Sequence, residues 1–497
     1  MSTVNQAGAP DSATPDPVLS EDGQTQGRSW AQTLGFWIGP ACLAATFLIA
    51  PPAGMEPAAW RIAGLGAWMA IWWATEAAPI AATSLLPLVM IPFLGGGNER
   101  EAAAPYANPI VLLLLGGSII AVAIERWGLH RRLALFFLSR AALSPSYLVL
   151  AFMAVTAFIS MWVSNTAASL MMMPIALSVA AAAGGAKDFT KAIVLGVAYA
   201  ATLGGIATPM GTPTNLIAMG WLTKESGVTV SFIDWVTIGL PALVIILPVA
   251  WMVVTFGMRG AKGASSAHGA LTDEFRGLGP MTTPEVRVLL VFSLIIALWV
   301  SAETLRTTFG LRFITDMSVV MAGAVLMMVL PSGNGERGRN LLNWKEAASI
   351  PWGVILLFGG GISLAEAMER TELADWLGGH LQALAGLNPI LIVAAIVGLV
   401  IVMTEFMSNV ATITMLLPVL GALGVAVGID PVVLVVPAAI AASCGFMMPA
   451  GTGPNAVAFS TQRVTVAGMM SRGFFINIVA LIVMTAIGVW LAPLVLG

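Results

Sequence analysis

The chain has 497 residues, 58% of them hydrophobic and only 9% charged, against about 25% charged in an ordinary soluble domain. So few charges cannot cover a water-soluble protein of this size, and a net charge of −3 without a basic tract offers nucleic acid no footing. The two cysteines, Cys42 and Cys444, sit inside apolar stretches and read as small core residues, not as a disulfide framework.

Residues 1–29 are rich in Ser, Thr, Pro, Gly and Asp and lack the basic start and apolar run of a signal peptide. They read as a disordered cytoplasmic tail. A membrane-spanning helix needs about 20 mostly apolar residues. The first expected span covers 34–52. Trp60–Thr75, Pro79–Leu94, Ile110–Ile124, Thr190–Leu203 and Ile233–Gly257 follow within a first repeat, 58–257. Residues 258–283, the long polar stretch holding His268, read as a cytoplasmic linker. Val286–Ala302, Thr315–Leu330, Trp352–Met368, Pro431–Cys444 and Phe474–Leu496 then fall in a second repeat, 284–497.

Two apolar stretches, 146–183 and 389–427, carry a Ser-Asn pair near their middle. They read as re-entrant hairpins, which a membrane tolerates only where they are buried in protein or line a watery cavity. With the N-terminus in the cytoplasm and about eleven spans alternating, 16 of the 22 Lys and Arg fall inside and 6 outside. That bias follows the positive-inside rule and places the C-terminus outside. The fold class is therefore an all-α polytopic membrane protein. Trp60, Trp127 and Trp352 read as interface anchors.

The halves match residue by residue. An offset of 244 carries Gly116 to Gly360, Glu125 to Glu369, Ser160 to Thr404, Ser164 to Ser408, Asn165 to Asn409 and Pro174 to Pro418. An offset of 240 carries Gly211 and Thr212 to Gly451 and Thr452, and Asn215 to Asn455. With five spans each, the second half must be inverted, a recurrent transporter plan.

At each tip, hydroxyls four apart (Ser160 with Ser164, Thr404 with Ser408) are expected on one helical face. Asn165 or Asn409 follows at once. A helix ending there exposes carbonyls. Hydroxyls, carbonyls and an amide oxygen are hard neutral donors suited to an alkali cation. The Gly- and Pro-rich stretches 204–213 and 444–454 must unwind a helix. A helix starting just beyond would aim N–H groups at an anion. These segments hold no charged side chain, so an anion there would need helix ends and co-bound cations, which favours cation symport over exchange. Glu405, alone in an apolar run, is costly and must meet a partner or a watery rim. No catalytic motif is present, and His130, His268 and His380 lie outside the apolar cores. His130, with Arg131 and Arg132, reads as part of an interfacial helix, and an enzyme is not expected.

Ser164-Asn165-Thr166 and Ser408-Asn409-Val410, the stretch Thr404–Thr412 and the stretch Met448–Asn455 resemble the signature motifs of the divalent anion/sodium symporter family. The resemblance spans 34–497. It implies a homodimer of eleven-helix protomers with scaffold and transport domains, moving as an elevator. It implies Na+ as coupling ion, with no other cofactor. One sodium site would use Ser160, Ser164, Asn165 and Gly211, the other Thr404, Ser408, Asn409 and Gly451. Substrate carboxylates would meet Asn165, Thr166, Thr212 and Pro213 from one half and Asn409, Val410, Thr452 and Gly453 from the other. Val410 stands where a second Thr is usual, and Gly453 where Pro is usual. The resulting expectation is sodium-coupled symport of a C4-dicarboxylate such as succinate, malate or fumarate across the inner or plasma membrane. A carboxylate exchanger, a citrate or sulfate carrier and an ion channel are the alternatives.

Overall fold

The computed structural model describes residues 29–140, 144–258, 264–335, 338–381 and 386–497. The tail before Ser29 lies outside them, as do Arg28, Arg259, Lys262, Arg337 and the side chain of His268. All regular structure among the described residues is helical, apart from one isolated bridge between Pro331 and Asn340.

Helix α1 (Trp30–Leu48) starts four residues earlier than its apolar run, because Ser29 and Gln32 form a capping box. The first repeat then runs through α2 (Pro57–Thr75), α3 (Ile80–Leu94), a short α4 (Glu99–Ala103) with a 3-10 turn, α5 (Pro109–Arg126) and α6 (Leu129–Leu138). The hairpin follows as α7 (Pro145–Ser160) and α8 (Asn165–Ala182). After it come α9 (Lys187–Gly205), α10 (Pro213–Glu225) and α11 (Phe232–Thr255). The linker is not all loop. It contains α12 (Ala264–Gly277), which packs on α6 and α8.

The second repeat retraces the order. It comprises α13 (Thr283–Phe309), α14 (Asp316–Val329), a short α15 (Trp344–Ala347), α16 (Trp352–Arg370) and α17 (Leu373–Leu381). The hairpin α18 (Pro389–Thr404) and α19 (Asn409–Val427) leads to α20 (Pro431–Ala441), α21 (Gly453–Ser460) and α22 (Val466–Ala486). A π turn, Ile487–Leu491, joins α22 to α23 (Ala492–Leu496). Even the minor elements repeat: Asn98 with Glu101 caps α4, and Asn343 with Glu346 caps α15 in the same way.

Among the described residues, eight helical segments are long and apolar enough to cross a membrane. They include α8 and α19, the second arms of the hairpins, while α7 and α18 are shorter apolar helices. The centre is formed by α9 and α20. From Phe189 to Gly205 every residue but Lys191 is buried, as is Leu434–Ala441 in α20. A helix apolar all round belongs in a core.

Packing across the repeats is reciprocal. Helix α3 packs on α16, and its counterpart α14 packs on α5. Likewise α10 touches α19 and α20, while its counterpart α21 touches α8 and α9. Interlocking of this kind brings both tips and both unwound stretches to one place. Arg132 fastens α6 to the linker. It is buried, pairs with Glu285 at 2.8 Å, and donates to the carbonyls of Leu278, Gly279 and Pro280. The three tryptophan indoles each donate to a backbone carbonyl: Trp60 to Ile49, Trp127 to Leu341 and Trp352 to Ala348.

Candidate functional site

The helix breaks inside each tip motif. α7 stops at Ser160 and α8 starts at Asn165, while α18 stops at Thr404 and α19 starts at Asn409. Ser160 and Ser164, or Thr404 and Ser408, therefore do not share one helical face. Ser164 is the N-cap of α8, and its hydroxyl accepts from the Ala167 N–H at 3.2 Å. Ser408 holds the same position without a side-chain cap bond. Serine and asparagine favour such starts because they bond the backbone locally.

What comes together is a cluster of polar atoms around each asparagine. The Ser160 hydroxyl lies 2.6 Å from the Ala201 carbonyl oxygen and 2.8 Å from the inward atom of the Asn165 amide. That amide atom lies 3.1 Å from the carbonyl oxygens of both Gly211 and Ala201. In the second repeat the Thr404 hydroxyl lies 2.5 Å from the Ala442 oxygen and 2.7 Å from the inward atom of Asn409. The Asn409 atom lies 3.0 Å from the Gly451 oxygen and 3.2 Å from that of Ala442. Ser160, Asn165 and Gly211 thus meet, as do Thr404, Asn409 and Gly451. Ala201 and Ala442 are additions that their side chains do not announce.

The unwound stretches are held by a second duplicated asparagine. Asn215 donates to Gly205 O at 2.9 Å and to Thr208 O at 2.7 Å. Asn455 donates to Gly445 O and Met448 O, both at 2.9 Å. Both side chains are fully buried. The offset of 240 had paired these residues, but their clamping role needed the fold.

The repeats differ in how the break is tied to the hairpin. In the first, the Thr208 hydroxyl donates to the Met161 carbonyl. In the second, Met448 replaces Thr208 and Glu405 replaces Met161. The Glu405 carboxylate accepts from the Met447 N–H at 2.9 Å, the Met448 N–H at 2.8 Å and the Asn477 amide at 2.7 Å. Glu405 is buried, so of the two expected environments it has the partner and not the watery rim.

A cavity of about 1360 Å³ borders both tips. Four helix starts line it: Asn165 of α8, Pro213 of α10, Asn409 of α19 and Gly453 of α21. Each N-terminus carries roughly half a positive charge. The charged residues of its wall are Glu76, Glu125, Arg126, Lys345 and Glu346, none of them in the tip motifs or the unwound stretches. Glu346 is engaged there by Arg126 at 2.7 Å and Arg339 at 3.1 Å. Thr166, Thr212, Val410 and Thr452 also face the cavity. The two halves meet at Thr166: a Cβ on Gly453 would lie 2.0 Å from its hydroxyl oxygen. Glycine at 453 leaves the room that Thr166 fills.

His130 contacts the Ile124 carbonyl through Nδ1 at 3.1 Å, and burial lowers its pKa, which suits a neutral structural imidazole. No group of three His, Cys, Asp or Glu able to hold a metal occurs among the described residues.

The family model of the sodium:sulfate symporter transmembrane region matches residues 31–496. The chain belongs to this family, the divalent anion/sodium symporters. It is a transporter-family membrane protein and not an enzyme. Among its relatives, the sodium-dependent dicarboxylate transporter SdcS of Staphylococcus saprophyticus is 38% identical over 480 residues, covering 94% of this chain and 92% of that one. The SdcS of Staphylococcus aureus strain USA300 is 36% identical over 485 residues, covering 94% and 93%. Two solved structures share the fold at low identity. They are MtrF of Neisseria gonorrhoeae (TM-score 0.59, 12% identity, 93% and 94% covered) and the YdaH transporter of Alcanivorax borkumensis (TM-score 0.54, 13% identity, 93% and 98% covered).

Proposed function

We propose that this chain carries out sodium-coupled symport of a C4-dicarboxylate such as succinate, malate or fumarate. The observation that carries the reading is the duplicated oxygen cluster at the two tips, both bordering one cavity that four helix starts line. Hydroxyl, carbonyl and amide oxygens replace the hydration shell of an alkali cation without adding charge. Helix starts favour an anion. Two cations balance the two charges of a dicarboxylate, so the moving site carries little net charge through a medium where charge is costly. The names of the staphylococcal relatives agree with both ligands.

In this reading Ser160, Asn165 and Gly211 hold one cation, and Thr404, Asn409 and Gly451 the other. Ser164 and Ser408 contribute as the caps beside them. Thr166, Thr212 and Pro213 face the substrate from one half, and Val410, Thr452 and Gly453 from the other. Residues 58–257 and 284–497 are inverted repeats of an eleven-span protomer, assembled as a homodimer, with a transport domain riding past a scaffold. The cavity wall includes the exposed Arg126 and Lys345, which the positive-inside rule assigns to the cytoplasm. The structure is then inward-facing, with the N-terminus inside and the C-terminus outside.

The test is labelled succinate uptake into proteoliposomes with and without an inward sodium gradient. Accumulation is expected only with the gradient. Uptake indifferent to sodium but driven by internal dicarboxylate would establish exchange instead, and conductance without accumulation a channel.

A further inference from the structure

Away from the main cavity, Lys224 and Glu225 of α10 meet Glu366, Glu369 and Arg370 of α16. Helix α10 is a 13-residue rod, Pro213 at its start bordering the main cavity and Glu225 at its end. The two ends are about 20 Å apart. Lys224 pairs with Glu366, whose other carboxylate oxygen takes Arg370 at 3.2 Å. Arg370 also donates to the Gly96 carbonyl at 3.0 Å, which ties the group to the turn after α3. Both cations are thus engaged. Beside them the Glu225 carboxyl hydrogen-bonds that of Glu369. Two carboxyl groups in such contact do not both ionise, so one proton lies between them.

The helices on either side of this contact are packed tightly elsewhere. A Cβ on Gly360 of α16 would lie 2.4 Å from the Ser84 oxygen of α3, and one on Gly421 of α19 would lie 2.4 Å from the Trp221 ring of α10. Where α10 and α19 face α16 and α17 there is instead a cavity of about 310 Å³, bordered by Ala365, Ala422 and the two glutamates. A loosely filled seam can part where a close-packed one cannot. The inverted repeat shows the opposite situation: Glu125, which the offset of 244 pairs with Glu369, borders the open main cavity. We propose that Glu225 and Glu369, sharing one proton, latch α10 to α16 and hold the outer face shut while the main cavity is open. The latch rests on the reading above in which the substrate site rides past a scaffold. Moving the site carries α10 with it, and the carboxyl pair must separate. Once apart and in water, both groups ionise. Burial and the Glu369 carboxyl raise the Glu225 pKa from 4.5 to about 7, with Lys224 opposing. The shut state therefore holds the extra proton between those values and is favoured as pH falls through 7. The other charged groups around the pair are Lys224, Glu366, Arg370 and, from α17, Asp375, while the sequence of α19 has none.

The test labels Ala422→Cys, on the seam, with a membrane-impermeant maleimide in intact cells that carry the full chain, with sodium and succinate outside. Labelling of the chain without this substitution is subtracted. Thiols react faster as pH rises, so each rate is divided by that of Ala422→Cys combined with Glu225→Ala at the same pH. From pH 8 to pH 6 the ratio should fall roughly three- to tenfold. Glu225→Gln keeps a donor for Glu369 and does not titrate, so its ratio should be low at both pH values. A merely structural role for Glu225 would leave the ratio unmoved by pH. A ratio independent of pH, or a pH dependence that survives Glu225→Gln, would overturn the latch and leave the moving site standing. An absence of labelling in every variant, Glu225→Ala included, would remove the moving-site reading and the latch with it.

Discussion

Adding one methyl group to Gly211 should cripple sodium activation, while the same change at its counterpart Gly451 should not. A Cβ on Gly211 would lie 2.5 Å from the carbonyl oxygen of Gly205 and 2.6 Å from its Cα, all backbone. Relaxed carbon contacts sit near 3.5–4.0 Å, so the two segments must part by about 1 Å. Asn215 resists that movement, since it bonds Gly205 O and Thr208 O together. Overpacking of this kind costs about 1–3 kcal/mol. At about 1.4 kcal/mol per tenfold, the sodium concentration for half-maximal uptake should rise roughly 5- to 150-fold in Gly211→Ala. A Cβ on Gly451 would instead meet the Glu405 carboxylate oxygen at 3.0 Å and Met448 O at 3.3 Å. The overlap there is a few tenths of an ångström, against about 1 Å at Gly211, so a much smaller adjustment suffices. Gly451→Ala should cost less than about 1 kcal/mol, under roughly fivefold in the same assay. Sodium-activation curves of succinate uptake at equal protein content decide the matter. Equal shifts in the two variants, or a larger one in Gly451→Ala, would refute the reasoning.

Gly453→Ala should weaken succinate uptake by driving a methyl group into the Thr166 hydroxyl, and Thr166→Ala in the same chain should restore part of the loss. A double-mutant cycle on the succinate KM should show a coupling of about 0.5 kcal/mol or more, and simple additivity would count against the contact. Glu405→Ala leaves the N–H groups of Met447 and Met448 and the Asn477 amide without their acceptor. Each buried orphan costs about 1–3 kcal/mol, so the variant should melt well below the unaltered protein in detergent, with Glu405→Gln between them. A melting temperature unchanged in Glu405→Ala would show that the clamp carries no weight.

Much of the site could be read from the chain because duplication supplies its own control. A fixed offset through Ser160, Asn165 and Gly211 separates them from the many other Ser, Asn and Gly of apolar helices. The starts of α10 and α21 were legible for a different reason: a dense run of Gly and Pro disfavours an unbroken helix, and Pro213 and Pro454 suit the first turn of a new one. Ser164 and Ser408 were misplaced because four-residue spacing implies a shared face only if the helix is unbroken. Ala201 and Ala442 were invisible, since every residue carries a carbonyl and only the fold decides which one is aimed at the tip. The helix α12 was missed because the polar composition of 258–283 outweighed the four-residue spacing of Leu271 and Phe275, which gives the helix its one apolar face. Contact between Thr166 and Gly453 joins residues of different repeats, and no spacing rule reaches across them.

The exchange of Met161 and Thr208 in one repeat for Glu405 and Met448 in the other has a consequence for how such a duplicated chain can change. A glutamate placed at 161 would lack the donors that Met447, Met448 and Asn477 supply in the other copy, whereas a threonine at 448 would need only a backbone carbonyl at 405, since the Thr208 hydroxyl donates to the carbonyl of Met161. The two copies are alike in outline, yet their fastenings are interchangeable in one order only. A threonine at 448 installed before the carboxylate at 405 is removed keeps the second break tied throughout, while the reverse order leaves it loose.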